Sequence, residues 1–196
     1  MVNNTIPKGW KGCPENGNSL ILGKFMALKT PLSNCYRNKM HHSEEYPPVE
    51  IFTRAERNKV KIGLWIDLTN TDRYYDKSEI KQQGCEYVKL SCSGHGTCPS
   101  ISDTRRFISL VHNFILERPQ ECIAVHCTHG FNRTGFLIVA FLVEKCNFDV
   151  RHAVEAFATS RPPGIYRGNY ITELFRRYGN SSEAPPPPPR PKWAHK

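Results

Sequence analysis

The stretch from Cys122 to Val143 constrains the fold of this chain more than any other. Cys122-Ile123-Ala124-Val125 is a short apolar run with β-branched residues, the pattern of a strand buried on both faces of a parallel sheet. Phe136-Leu137-Ile138-Val139-Ala140-Phe141-Leu142-Val143 carries no charge and is long enough for a buried helix. Between them stands a short polar loop, His126-Cys127-Thr128-His129-Gly130-Phe131-Asn132-Arg133-Thr134-Gly135. A strand's carboxyl end therefore feeds a helix's amino end, the unit from which α/β sheets are built.

The loop is suited to an anion. Free N–H groups at a helix start and the positive end of its dipole attract negative charge, and Gly130 lets the backbone curl around it. Thr128, His129, Gly130, Phe131, Asn132 and Arg133 are the expected phosphate-binding residues, with Arg133 closing the cup through a planar fork. The same donors surround Cys127, so its thiol is expected below the usual ~8.5, and a thiolate facing a phosphoryl group is a nucleophile. Thr134, in the first helical turn, is placed to bond the sulfur or to help a later water. The bland alternative is a buried thiol beside a surface arginine. Strand, glycine, arginine and helix in this order favour chemistry. A Walker-type loop is excluded because no Gly-Lys-Ser/Thr stands here, and the glycine spacing excludes a dinucleotide site.

His-Cys-x5-Arg followed by a hydroxyl residue resembles the cysteine-phosphatase superfamily, which includes the tyrosine and dual-specificity phosphatases. The loop also stands with Ile66-Asp67-Leu68-Thr69-Asn70-Thr71, Gly94-His95-Gly96, Arg161-Pro162-Pro163-Gly164-Ile165-Tyr166 and Leu174-Phe175-Arg176-Arg177-Tyr178. Together these look like the RNA 5'-triphosphatase domain of two-domain mRNA capping enzymes, from about Ile6 to the proline tail. The resemblance implies a dual-specificity-like fold, with Cys127 as phosphocysteine nucleophile and Arg133 as phosphate ligand.

The rest of the chain agrees with an α/β class, a central, mainly parallel, twisted sheet flanked by helices. Ile62 to Ile66 and Glu86 to Leu90 read as further strands, and Leu20 to Leu22 with Phe25 to Leu28 as short edge strands. Helical periodicity marks a helix starting near Asp103, another through Val150, Val154 and Phe157, and a last through Ile171, Leu174 and Phe175. Residues 1–180 are read as one catalytic domain and 181–196 as a proline-rich linker. Pro185, Pro188 and Arg190 also fit an SH3-ligand pattern. In capping enzymes this position leads into a guanylyltransferase domain, so the resemblance implies that domain as a partner in cis.

Among 196 residues the net charge is +9, which favours a polyanionic partner: RNA, a phosphoinositide head group or an anionic surface. The first residues lack a signal-peptide core, and no apolar run suits a membrane span. Eight scattered cysteines and a catalytic thiol fit a reducing compartment, and so does Asn132-Arg133-Thr134, a sequon that a secretory route would expose to glycosylation. Cytosol or nucleus is expected, and the resemblance implies the nucleus, with the transcription machinery as a further partner.

Protein phosphatases of this superfamily carry an aspartic acid on the loop after the strand corresponding to Glu86 to Leu90. Here that loop reads Ser91-Cys92-Ser93-Gly94-His95-Gly96-Thr97-Cys98-Pro99, and Asp103, the nearest carboxylate, suits a helix cap. A tyrosine leaving group, with pKa ~10, needs protonation, whereas a phosphate with second pKa ~6 needs little. The missing acid thus favours phosphoanhydrides. His95 is a possible substitute donor, in a flexible turn. Asp67 is a candidate to orient Arg133 or the attacking water, or else a turn carboxylate. Cys92, His95 and Cys98 with Cys85 mimic part of a zinc site, but Cys85 lies across a strand. No metal or cofactor is expected, because Arg133 and backbone donors neutralise the phosphates. Arg161, Arg167 and Lys89 are the candidates for the β-phosphate or RNA backbone, and Arg105, Arg106, Arg176 and Arg177 read as solvated faces.

The expectation is hydrolysis of the γ-phosphate from 5'-triphosphate RNA. The rivals are a dual-specificity protein or phosphoinositide phosphatase, and a catalytically silent RNA-end or SH3-binding module.

Overall fold

The apolar runs form four parallel strands: β1 (Phe25–Leu28), β2 (Ile62–Asp67), β3 (Glu86–Lys89) and β4 (Cys122–His126). Their order in the sheet is β1-β4-β2-β3, in a computed structural model that describes residues 5–94 and 96–195. Among the described residues six α-helices accompany the sheet: α1 (Pro48–Arg57), α2 (Lys77–Lys81), α3 (Ile101–Glu117), α4 (Asn132–Cys146), α5 (Val150–Ser160) and α6 (Gly168–Tyr178). Of the early edge strands only Phe25–Leu28 forms one. Ile21 makes an isolated bridge to Phe25, because the chain turns at Leu22, whose φ is +49°.

Register aligns the carboxyl ends. Leu28 pairs with His126, His126 with Asp67, and Asp67 with Lys89, so one row of residues ends the sheet and the loops beyond it converge. Alternation along β2 and β4 sends Leu64, Ile66, Ile123 and Val125 to one face and Trp65 and Ala124 to the other, which Ile62 joins across a register shift between Ile62 and Leu64. Helices α3 to α6 cover the first face, and α1 with Trp10, Tyr36 and Tyr46 covers the second. Helix α4 is apolar all round because it is buried all round, with Phe136 to Leu142 at most 3% exposed. Each large side chain among them contributes about 1.5–3 kcal/mol by leaving water.

Helix α3 starts at Ile101 under a capping box. Ser100 accepts from the amide of Asp103, and the Asp103 carboxylate accepts from the Ser100 amide and hydroxyl. The cap expected at Asp103 is therefore shared, and this carboxylate is turned to the helix start. Cys85 packs in the second core and Cys92 in the first, so the sheet separates two members of the zinc-like set. His95 lies outside the described residues. No helix among the described residues is long and apolar enough to cross a membrane.

Candidate active site

The loop between β4 and α4 wraps Cys127. Gly130 stands at φ +75°, and a Cβ there would collide with the Leu28 carbonyl, so the turn requires glycine. That geometry brings the Gly130 amide to within 3.3 Å of Cys127 Sγ. Burial pushes the Cys127 thiol up, but Arg133, the hydroxyl and amide of Thr134 and the amide of His129 outweigh it and bring its pKa from 9.0 to about 7. Burial instead pushes Cys13, Cys85 and Cys92 up to about 12. The chain thus separates one nucleophilic thiol from several inert ones. Thr134 Oγ1 is fully buried and has no partner of ordinary hydrogen-bond geometry apart from its approach to the sulfur, which leaves its donor for a thiolate.

Arg133 is fixed from two sides. Nη1 donates to the carbonyls of Leu68, at 3.0 Å, and Cys92, at 3.2 Å, while Nη2 donates to Thr128 Oγ1 at 3.2 Å. The loops after β2 and β3 thereby aim its fork. Asn132 uses its side chain differently from a direct phosphate ligand: Oδ1 accepts the amides of Tyr166 and Arg167. Phe131 is buried, so only its backbone is available to an anion. The resulting cleft, about 450 Å³, is lined by Cys127, Arg133, Arg167 and Lys8 among others, with no carboxylate among its described lining residues. Tyr166, from the segment that the sequence resemblance brings near the site, joins the lining, and so do Lys8 and Tyr170, to which the sequence assigns no role. Lys8 offered no sequence signal, since it reaches the cleft through the bond of its carbonyl to His129 Nε2 at 2.9 Å.

Three of the proposed residues stand elsewhere. Arg161 is 1% exposed. It donates to the carbonyls of Gly130, His129 and Pro14 and stacks 4.3 Å over Phe131, bracing the loop from behind rather than meeting RNA. Lys89 donates to Asp67, Thr69 Oγ1 and the Thr71 carbonyl, and pairs with Asp72, so its charge is already neutralised away from Cys127. Asp67 does not reach Arg133. Its oxygens accept from Thr69, Tyr87 and Lys89, which fills a buried carboxylate with partners. Arg177 also departs from a solvated face, bonding Glu173, Thr104 and the Pro99 carbonyl.

Behind the nucleophile, fully buried His126 has its tautomer set by its neighbours. Nδ1 lies 3.1 Å from the Cys127 carbonyl, which only accepts, so Nδ1 carries the proton, and the Tyr75 hydroxyl stands between Nε2, at 2.6 Å, and Asp67 Oδ2, at 3.3 Å. Burial lowers the His126 pKa against the pull of Asp67, in agreement with a neutral ring.

A buried, activated cysteine, an arginine fork and helix-start amides on a parallel sheet define a cysteine phosphatase. The chain belongs to the family described as dual specificity phosphatase, catalytic domain, which it matches over residues 49–179. It is 50% identical over 193 residues to the mRNA-capping enzyme of Danio rerio, covering 98% of this chain and 32% of that protein. Identity to the mRNA-capping enzyme of Mus musculus is 49% over the same length and coverage. The chain thus spans about a third of the length of these curated relatives. The RNA/RNP complex-1-interacting phosphatase homolog of Caenorhabditis elegans is 32% identical over 186 residues, 90% of this chain and 80% of that one. Among solved structures, Tk-PTP in its active form superposes with a TM-score of 0.61 at 16% identity, covering 85% of this chain and 97% of that one. The fold is therefore that of cysteine-based phosphatases.

Proposed function

We propose that this domain removes the γ-phosphate of 5'-triphosphate RNA, the first step of mRNA capping. The observation that carries this reading is the cationic cleft around Cys127, which has no carboxylate among its described lining residues. A phenolate needs a proton to leave, whereas a diphosphate end leaves as a stable anion. Identity to capping enzymes along nearly the whole chain supports the same substrate.

In this mechanism the Cys127 thiolate attacks the γ-phosphorus in line. The bond to the bridging oxygen breaks with its electron pair going to the β-phosphate. Water then attacks phosphocysteine, the S–P bond breaks, and thiolate and inorganic phosphate are released. Arg133 and the amides of the loop hold the equatorial oxygens in both steps, and Arg167 and Lys8 face the remaining phosphates. Attachment to a guanylyltransferase domain in the complete protein, contact with the transcription machinery and a nuclear location belong to the same proposal.

Phosphate release from triphosphate-ended RNA and from a phosphotyrosine peptide, both in EDTA, tests it. Faster release from the RNA is expected. Preference for the peptide would favour a protein phosphatase, and loss of activity in EDTA would overturn the metal-free mechanism.

A further inference from the structure

The proline-rich segment carries an aromatic anchor, Trp193, at the lip of the phosphate cleft. The Trp193 ring lies 5.2 Å from His129, 5.3 Å from Phe131 and 5.9 Å, edge-on, from Tyr166. Gly9 and Gly12 leave the room for it, since a Cβ on either would strike Trp193. His129 and Tyr166 also line the cleft that holds Cys127, so slot and cleft share two walls. Arg161 packs on Phe131, which fixes the floor of the slot.

The occupant is lightly held. Among the described residues, the hydrogen bonds of residues 185–195 stay within the tail: Ala194 to Pro191, Arg190 to Ala194 and His195 to Arg190. Trp193 therefore docks through its ring and through the packing of its backbone on Gly9, with no backbone ladder to the rest of the domain that would have to be broken on release.

We propose that this slot is a stacking subsite for the first base of the substrate, filled by Trp193 until that base displaces it. The inference rests on the triphosphatase reading and names a part of the same site. An indole and a nucleobase both offer flat π faces to neighbouring rings, and stacking tolerates any base. A phosphate chain anchored at Arg133 has its nucleoside end directed out of the cleft, and the shared walls of His129 and Tyr166 lead to the slot.

The test uses the full chain with Cys127→Ser, which stops turnover, and follows indole emission. Trp10 and Trp65 are fully buried, so Trp193→Phe supplies the background. A purine nucleoside 5'-triphosphate is expected to shift the Trp193 emission to the red, while inorganic tripolyphosphate leaves it in place. Adding Trp193→Ala is expected to tighten the nucleotide several-fold in calorimetric titration and leave tripolyphosphate unchanged, because a filled slot taxes only the ligand that needs it. Equal responses to both ligands would overturn the proposal and make Trp193 a prop for the loop. No response to the nucleotide would overturn it as well. Failure of the wild-type chain to release phosphate from triphosphate-ended RNA, measured separately, would strike the triphosphatase reading and leave the emission result to stand or fall alone.

Discussion

Asn132 holds Arg167 by its backbone: the amide of Arg167 donates to Asn132 Oδ1 at 3.0 Å, beside that of Tyr166 at 3.1 Å. The phosphate loop thus positions a cation from the start of α6. Asn132→Ala is expected to raise KM for triphosphate-ended RNA about tenfold, the worth of roughly one buried hydrogen bond, and Asn132→Asp not to restore it, because a carboxylate that accepts the same amides also stands in the phosphate cleft. A change confined to kcat in steady-state assays would contradict this role.

Arg167 and Arg161 should separate cleanly. Arg167→Ala is expected to weaken RNA binding and flatten its salt dependence by about one unit of slope. Arg161→Met leaves three carbonyls without their donor, so it is expected to lower stability by about 2 kcal/mol and leave the salt slope intact. Urea unfolding together with binding at graded salt checks both.

The pH profile follows from Cys127. Thiolate is the reactive form, so activity is expected to fall about tenfold per unit below the midpoint and to level off above it. With the thiol at about 7, that limb lies near neutrality. Thr134→Val removes a donor to the sulfur and is expected to move the limb upward by roughly half a unit. A limb that stays in place would remove Thr134 from the stabilisation of the thiolate.

Gly130→Ala forces a Cβ into the Leu28 carbonyl at a positive φ. The loop has to open to accept it, so activity is expected to drop by at least about a hundredfold, the cost of displacing a catalytic group by an ångström. A kinetic assay beside a thermal melt distinguishes this from global unfolding.

Asp67→Asn tests the network under the sheet's carboxyl edge. Burial pushes the carboxyl up, but Lys89 at 2.9 Å and the hydroxyl of Thr69 hold it below the ordinary carboxylate range. A depressed carboxyl contributes stability that is fully present above its unfolded pKa and is lost as pH falls through the folded one. The variant is therefore expected to be less stable by about 2 kcal/mol at pH 7, with the gap closing in acid. A gap independent of pH would assign the loss to packing.

Much of this was legible in the sequence where burial is two-sided. The runs of β2 and β4 announce themselves because the sheet is covered on both faces, and Cys127 and Arg133 because their chemistry demands a fixed spacing. Helix α1 was not visible, since it buries only Pro48, Ile51 and Ala55 and is otherwise polar. Arg161 misled because a sequence shows its charge and not the carbonyls of Pro14 and Gly130 that absorb it. Trp193 escaped notice because proline composition argues against a core, and a single ring needs none of its own to dock.

The place of β4 also bears on synthesis. It joins strands made long before it, pairing with β1 on one side and β2 on the other. Until it leaves the ribosome the growing chain holds two unsatisfied strand edges and a vacant centre, a state open to mispairing. The strand that closes the gap also delivers the nucleophile, so a nascent chain acquires its reactive thiol in the same event that shields its sheet.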